Sequence, residues 1–82
     1  MKRILYFHAP SCAPCVALKP MIAQLQQEMS IVLIDTDISY NSAETWKIKN
    51  IPTVLILQDS VEQGRLVGSA INASEIRRLY KQ

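Results

Sequence analysis

Only two cysteines occur in the 82 residues, too few for the cross-linked framework of a small secreted scaffold. Glycine (two) and proline (four) are sparse as well, and no repeat, linker or low-complexity segment interrupts the chain. Long apolar runs are missing. Lys2 and Arg3 are followed by Ile4-Leu5-Tyr6-Phe7, the start of a signal-peptide pattern, but His8, Pro10, Ser11 and Cys12 break the run before an h-region forms. Nothing approaches the roughly 20 apolar residues of a membrane span, so no membrane partner is expected and the chain reads as cytoplasmic. Charge of one sign is also lacking: nine Lys and Arg against seven Asp and Glu leave +2. That mild excess gives no argument for nucleic acid binding, and Arg77, Arg78 and Lys81 read as ordinary charges near a helix C-terminus.

What is present is the composition of a soluble folded chain. Hydrophobic residues make up 49% and charged residues 20%, too apolar for disorder. A chain of this length buries about 60–65% of its unfolded surface, enough for one domain over residues 1–82 with one modest core, read as a monomer.

Apolar periodicity gives the element order. Ile4 to Ala9 is a dense apolar and aromatic run closed by Pro10, the pattern of a short buried strand. Leu18, Met21, Ile22, Leu25 and Met29 then share one face of a helix expected over Cys12 to Met29, with Pro14 tolerated in its first turn and Pro20 kinking its interior. Ile31 to Ile34 predicts a second buried strand, ending at Asp35-Thr36-Asp37. Polar strand-end roles suit these aspartates better than cation binding. Tyr40 to Asn50 predicts a short helix capped by Asn41 or Ser42, with Trp46 packing it on the sheet or rimming a groove. Thr53 to Leu57 and Glu62 to Gly68 are two further strands around a turn at Gln58-Asp59-Ser60. A last helix opens at Asn72, with Glu75 completing a capping box. The order β-α-β-α-β-β-α implies an α/β fold with a four-stranded mixed sheet and helices on its faces. Strands separated by helices are expected to pair in parallel, and the last two as an antiparallel hairpin.

Cys12-Ala13-Pro14-Cys15 falls between the first strand and the first turn of the first helix. Unpaired N–H groups and the positive end of the helix dipole stabilise a thiolate there, which favours Cys12 as nucleophile. A two-residue spacer on a helical turn brings the two sulfurs within bonding reach. Cys12 at the tip attacks a substrate disulfide, and Cys15, tucked into the helix, displaces the substrate from the resulting mixed disulfide. Two other readings stay open at this point. Half of a zinc or iron–sulfur site would need ligands from a second copy, since His8 is the only histidine. A purely structural disulfide would close almost no loop and gain little.

The run Phe7-His8-Ala9-Pro10-Ser11-Cys12-Ala13-Pro14-Cys15, then Pro20, Asn50-Ile51-Pro52-Thr53 and Leu66-Val67-Gly68, resembles the thioredoxin family in register from about Lys2 to Tyr80. The resemblance is to a minimal thioredoxin of the kind found in phages and archaea, without the extra N-terminal strand and helix of longer members. It implies a thioredoxin-like fold and reduction of protein disulfides, with no cofactor beyond the redox-active Cys12–Cys15 pair and no metal. It also implies disulfide-containing protein substrates, recharging by a thioredoxin reductase-like donor, and service to ribonucleotide reductase. It further implies a cis Ile51–Pro52 peptide facing the cysteines, where the Ile51 backbone would pair with an extended substrate. Gly68 resembles the glycine that keeps the substrate groove open, although a turn or bulge after an edge strand would also explain it. Ala13-Pro14 resembles the Gly-Pro spacer of reducing thioredoxins more than the spacers of oxidants, isomerases or glutaredoxins, and the resemblance implies that Ala13 and Pro14 join Ile51, Pro52 and Gly68 in facing the substrate. A glutathione-recharged glutaredoxin-like enzyme and a thioredoxin-fold binding module without turnover are the alternatives.

Three departures stand out. The family's buried aspartate, six residues before the first cysteine, is Tyr6, and the lysine that neighbours it is Leu33, so a buried charge pair is gone as a unit. The tryptophan before the first cysteine is Ser11, whose hydroxyl is available to cap the helix. His8 replaces a tryptophan on the strand leading to the site and shares a face with Tyr6. These two are the candidates for tuning the cysteines, with a solvated strand-end histidine as the plainer reading of His8.

Overall fold

The computed structural model describes residues 1–82. The elements are β1 (Lys2–His8), α1 (Ala13–Leu25), β2 (Ile31–Asp35), α2 (Tyr40–Thr45), β3 (Thr53–Gln58), β4 (Val61–Val67), a 3-10 turn (Gly68–Ala70) and α3 (Ala73–Tyr80). They form one four-stranded mixed sheet in the order β2-β1-β3-β4, flanked by helices as expected.

The alternation of β1 explains the layers. Ile4 and Tyr6 point to one face and join Ile22 and Leu25 of α1, Val54 and Ile56 of β3, Leu66 of β4 and Ile76 of α3 in the larger core. Leu5 and Phe7 point to the other face and pack with Leu55 and Leu57 beneath Ala43, Trp46 and Ile48 around α2. Every residue from Ile4 to Ala9 is buried, because β1 is central and covered on both faces. Trp46 is therefore a core-packing residue of the α2 layer.

Pairing departs from the expected pattern at one strand. β1 and β2 are parallel, Ile4 opposite Ile31 through His8 opposite Asp35. β3, however, runs antiparallel to β1, with Lys2 opposite Gln58 and Phe7 opposite Thr53. A parallel return requires the connection to carry the chain back along the whole strand, about 23 Å for seven residues. The six residues of α2 span only about 9 Å. β2 ends, and β3 begins, at the same end of the sheet.

β2 also departs from the expectation of a buried strand. It lies at the sheet edge with one neighbour, and Val32 and Leu33 are 43% and 44% exposed. An apolar run looks the same in sequence whether one neighbour covers it or two.

Three helix ends differ from the sequence expectation for local reasons. α1 stops at Leu25, and the amides of Gln27 and Glu28 bond the carbonyls of Gln24 and Leu25, i to i−3, in a tightened turn that leads into β2. Met29 still reaches the core. α2 stops at Thr45, where Lys47 takes a left-handed φ of 55°. Its N–H returns to the Glu44 carbonyl and that of Ile48 to Ala43, a Schellman ending with Ile48 and Ala43 in apolar contact with the same core. The residue before α2 is Ser39, not Asn41 or Ser42, and its side chain makes no capping bond. At α3 the Asn72 cap is present, its Oδ1 accepting from the Glu75 N–H at 2.9 Å. The Glu75 carboxylate pairs with Arg78 instead of reaching back, so the capping box is only half made.

β3 and β4 form the antiparallel hairpin expected, through a two-residue turn in which Asp59 and Ser60 have φ of 51° and 69°. A register shift beside Ile56 and Leu57 bends β4 near Gly64, whose missing side chain lets Leu79 of α3 approach: a Cβ there would lie 3.3 Å from Leu79 Cδ2.

Candidate active site

β1 ends at His8, and the chain turns through Ala9, Pro10 and Ser11, where the Cys12 N–H bonds the Ala9 carbonyl at 3.1 Å. Cys12 is the N-cap of α1 and Pro14 lies in its first turn, where no N–H donor is needed. Ser11 therefore does not cap the helix. The cap is the Cys12 sulfur, which accepts a hydrogen bond from the Cys15 N–H at 3.2 Å. The two sulfurs are bonded, with the Cα atoms 5.2 Å apart. Cys12 is partly exposed and Cys15 fully buried, so one sulfur faces solvent and the other the core. No acidic residue lies in the first turn of α1, so the field there favours negative charge on Cys12.

Tyr6 and His8 lie on the α1 face of β1, and Tyr6 reaches the pair. Tyr6 is completely buried, and its hydroxyl donates to the Cys15 carbonyl at 2.8 Å. Burial pushes its phenol pKa above the ordinary value. His8 is also buried, 8% exposed, with its ring stacked on Tyr6 at a centroid distance of 5.6 Å. Its Nδ1 has no hydrogen-bond partner. A solvated strand-end histidine is thus excluded. Its carbonyl receives the N–H and the hydroxyl of Thr36, which ties β1 to the end of β2.

Leu33 is the direct register partner of Tyr6, yet only Tyr6 is in the core. The buried-pair argument therefore holds for one of the two positions: Leu33 is a half-exposed edge residue. Asp35 accepts from the Asp37 N–H at 2.9 Å, an Asx turn closing the strand, and no cluster of His, Cys, Asp or Glu is arranged to hold a metal ion.

The Ile51–Pro52 peptide is cis. Pro52 is buried, and its carbonyl accepts the Gly68 N–H at 3.0 Å, which joins this loop to the end of β4. Beside them opens a groove of about 440 Å³ lined by Pro14, Ala17, Leu18, Ile51, Pro52, Gly68, Ser69 and Ile71. Sequence reasoning placed Pro14, Ile51, Pro52 and Gly68 in one substrate-facing set, and the fold brings these together. Ala13 is exposed but outside the groove lining. Ala17 and Leu18 were missed, although they sit three and four positions after Pro14, on its helix face. Ser69 and Ile71 carry no sequence signal beyond their nearness to Gly68. Gly68 has φ of 58° and nothing within 4 Å of where a Cβ would stand, so it serves both as a left-handed turn and as open floor.

The thioredoxin family model matches residues 1–82. A thioredoxin of Bacillus subtilis is 40% identical over 57 residues, covering 65% of this chain and 55% of its own length. The chain thus spans about half of that relative. A thioredoxin of Chlamydia trachomatis is 32% identical over 81 residues, covering 95% of this chain and 79% of its own. The solved structure of thioredoxin 1 from the thermophilic eubacterium Thermosipho africanus superposes with a TM-score of 0.82 at 25% identity, over 96% of this chain and 90% of that one. With the Cys-x-x-Cys pair at the head of α1 and the family model matching end to end, the chain belongs to the thioredoxin family.

Proposed function

We propose that this chain is a thiol–disulfide oxidoreductase that reduces disulfides in proteins, with Cys12 attacking and Cys15 resolving. The observation that carries the reading is the asymmetry of the pair: Cys12 is reachable and receives the Cys15 N–H, whereas Cys15 is sealed beneath it. A thiolate at Cys12 attacks one sulfur of a substrate disulfide and expels the other as a thiolate. Cys15, deprotonated, then attacks Cys12, forms the Cys12–Cys15 bond and releases the second substrate thiol. Two electrons pass from the dithiol to the substrate, and the pair itself is the only redox group needed. The apolar groove beside Pro52 gives an extended substrate segment a place to lie. An edge of backbone at Ile51 supplies strand-like hydrogen bonds, with Pro14 and Gly68 in the groove lining and the exposed Ala13 outside it.

Family membership supports disulfide-bearing proteins as substrates and a thioredoxin reductase-like donor. Ribonucleotide reductase belongs among the acceptors to assay. No helix is long and apolar enough to cross a membrane, and we place the activity in the cytoplasm, in a monomer.

The reading is tested by thiol trapping of the Cys12–Cys15 couple in graded dithiol buffers, where about 30 mV corresponds to a tenfold change in equilibrium for a two-electron couple. A reversible couple more reducing than the glutathione pool supports it. A couple at or above that pool transfers the chain to the glutathione-recharged class, and an irreversible pair leaves only a binding role. Cys12→Ser should abolish reduction of a protein disulfide, and Cys15→Ser should stop at a trapped mixed disulfide.

A further inference from the structure

Tyr6 occupies a position where packing asks only for volume. Phe7, next along β1, fills the opposite core with a ring that needs no polar partner. Tyr6 is just as buried but brings a hydroxyl into the core, at a desolvation cost that only a partner offsets. Its partner is the carbonyl of the resolving cysteine. A helical carbonyl has two lone pairs, and the helix ladder uses one; the Tyr6 hydroxyl takes another. The N–H of the following residue, Val16, bonds the Cys12 carbonyl at 3.1 Å, so the peptide unit after Cys15 is held at both ends. The N–H of Cys15 itself rests on the Cys12 sulfur.

We propose that Tyr6 is a positioning residue for the second half of the exchange: its hydroxyl pins the Cys15 backbone so that the Cys15 sulfur stays aimed at Cys12 while Cys12 is bonded to substrate. The inference rests on the reading of Cys12 as nucleophile and Cys15 as resolving thiol. In the mixed disulfide the Cys12 sulfur carries a substrate, and the contact from the Cys15 N–H changes with it. The Tyr6 bond lies on the other side of Cys15 and involves neither sulfur. In the step itself the Cys15 thiolate attacks the Cys12 sulfur, the Cys12–substrate bond breaks, and the substrate sulfur leaves with the electron pair. The proton given up by Cys15 balances the one that thiolate takes up. Holding nucleophile and electrophile in line is what makes such an intramolecular step fast.

Tyr6→Phe removes the hydroxyl and keeps the ring. Single-turnover kinetics should show the release step slowed about 3- to 10-fold, while formation of the mixed disulfide, followed in a Cys15→Ser background, is unchanged. A release rate equal to wild type, or equal slowing of both steps, overturns the assignment. A second measurement needs no variant. In the reduced native protein, NMR should find the Tyr6 hydroxyl proton exchanging slowly and in through-space contact with the Cys15 turn; a freely exchanging hydroxyl overturns it equally. If Cys12 forms no mixed disulfide at all, the broader oxidoreductase reading fails. If the disulfide forms and resolves normally without the hydroxyl, only the role of Tyr6 fails.

Discussion

The imidazole of His8 lies nearly parallel to the ring of Tyr6, the planes 11° apart, and is buried with its Nδ1 unpartnered. Under the first turn of α1 the core thus contains one satisfied hydroxyl and one unsatisfied ring nitrogen. His8 is therefore the side chain to test for a part in the release step, when the buried Cys15 must become a thiolate.

His8→Phe separates structure from chemistry. It keeps a flat ring against Tyr6 and removes an unpaired buried polar atom, so stability should hold or rise by up to about 1 kcal/mol in denaturant titration. The pH profile of the release step should nevertheless differ from wild type. An unchanged profile would remove His8 from the chemistry.

Gly68→Ala should cost about 1–2 kcal/mol, because an L-residue at a φ of 58° bears a backbone penalty. No protein atom stands in the way of the new methyl group, so steric overlap adds nothing. The methyl group enters the groove beside Pro52, and KM for a protein disulfide should rise more than kcat falls. Equal KM in the variant would show that substrates do not use this side of the groove.

At Gly64 the outcome depends on size. Gly64→Ala puts its Cβ 3.3 Å from the flexible end of Leu79, which can yield by a few tenths of an ångström, and stability should change by under about 0.5 kcal/mol. Gly64→Val forces α3 away from the sheet and should cost about 1–3 kcal/mol. Thermal or denaturant midpoints of the two variants provide the comparison.

The Glu62–Arg65 pair gives a pH signature. The Arg65 guanidinium hydrogen-bonds the Glu62 carboxylate at 2.7 and 2.8 Å and also reaches the Trp46 carbonyl, tying β4 to the end of α2. The hydrogen bonds from Arg65 hold the Glu62 pKa below its ordinary 4.5. A lowered acid pKa means the folded state favours the ionised form. The stabilisation is therefore complete at pH well above 4.5 and is lost as pH falls through the lower folded value. Wild type minus Glu62→Gln, measured by denaturant unfolding from pH 7 downward, should give a difference of a few tenths of a kcal/mol that disappears in acid, small because the pair is about one-third exposed and screened by water. A difference that grows in acid would contradict the pairing.

Elements whose signal is local were legible in the sequence. β1 is a dense apolar run, α1 carries an apolar face and a proline-tolerant start, α3 an asparagine cap, and the β3–β4 link a turn pair. Ends set by backbone geometry were not. α2 closes on Lys47 in a left-handed conformation that glycine usually takes, so no residue type announces it. α1 tightens after Leu25 although Met29 keeps the apolar spacing and remains in the core. The same limit explains the site. Cys12 and Cys15 are marked by type and spacing and Pro52 by the family resemblance, whereas Ala17, Leu18, Ser69 and Ile71 reach the groove only through packing.

The sequence by itself marked the Cys12–Cys15 pair as the reactive centre: two cysteines spaced on one turn after a buried strand sit where a helix end favours a thiolate. It also determined that a tyrosine and a histidine would share one face of β1, since strand side chains alternate. Whether they would meet solvent or the core, which strands would run antiparallel, and which apolar strand would be left at the edge were decided by the tertiary structure. Those outcomes depend on how far each connection carries the chain and on what covers each face, and no residue encodes either alone. Tyr6 shows the division: its identity is in the sequence, but that its hydroxyl lands on the carbonyl of Cys15 follows only from α1 packing across β1.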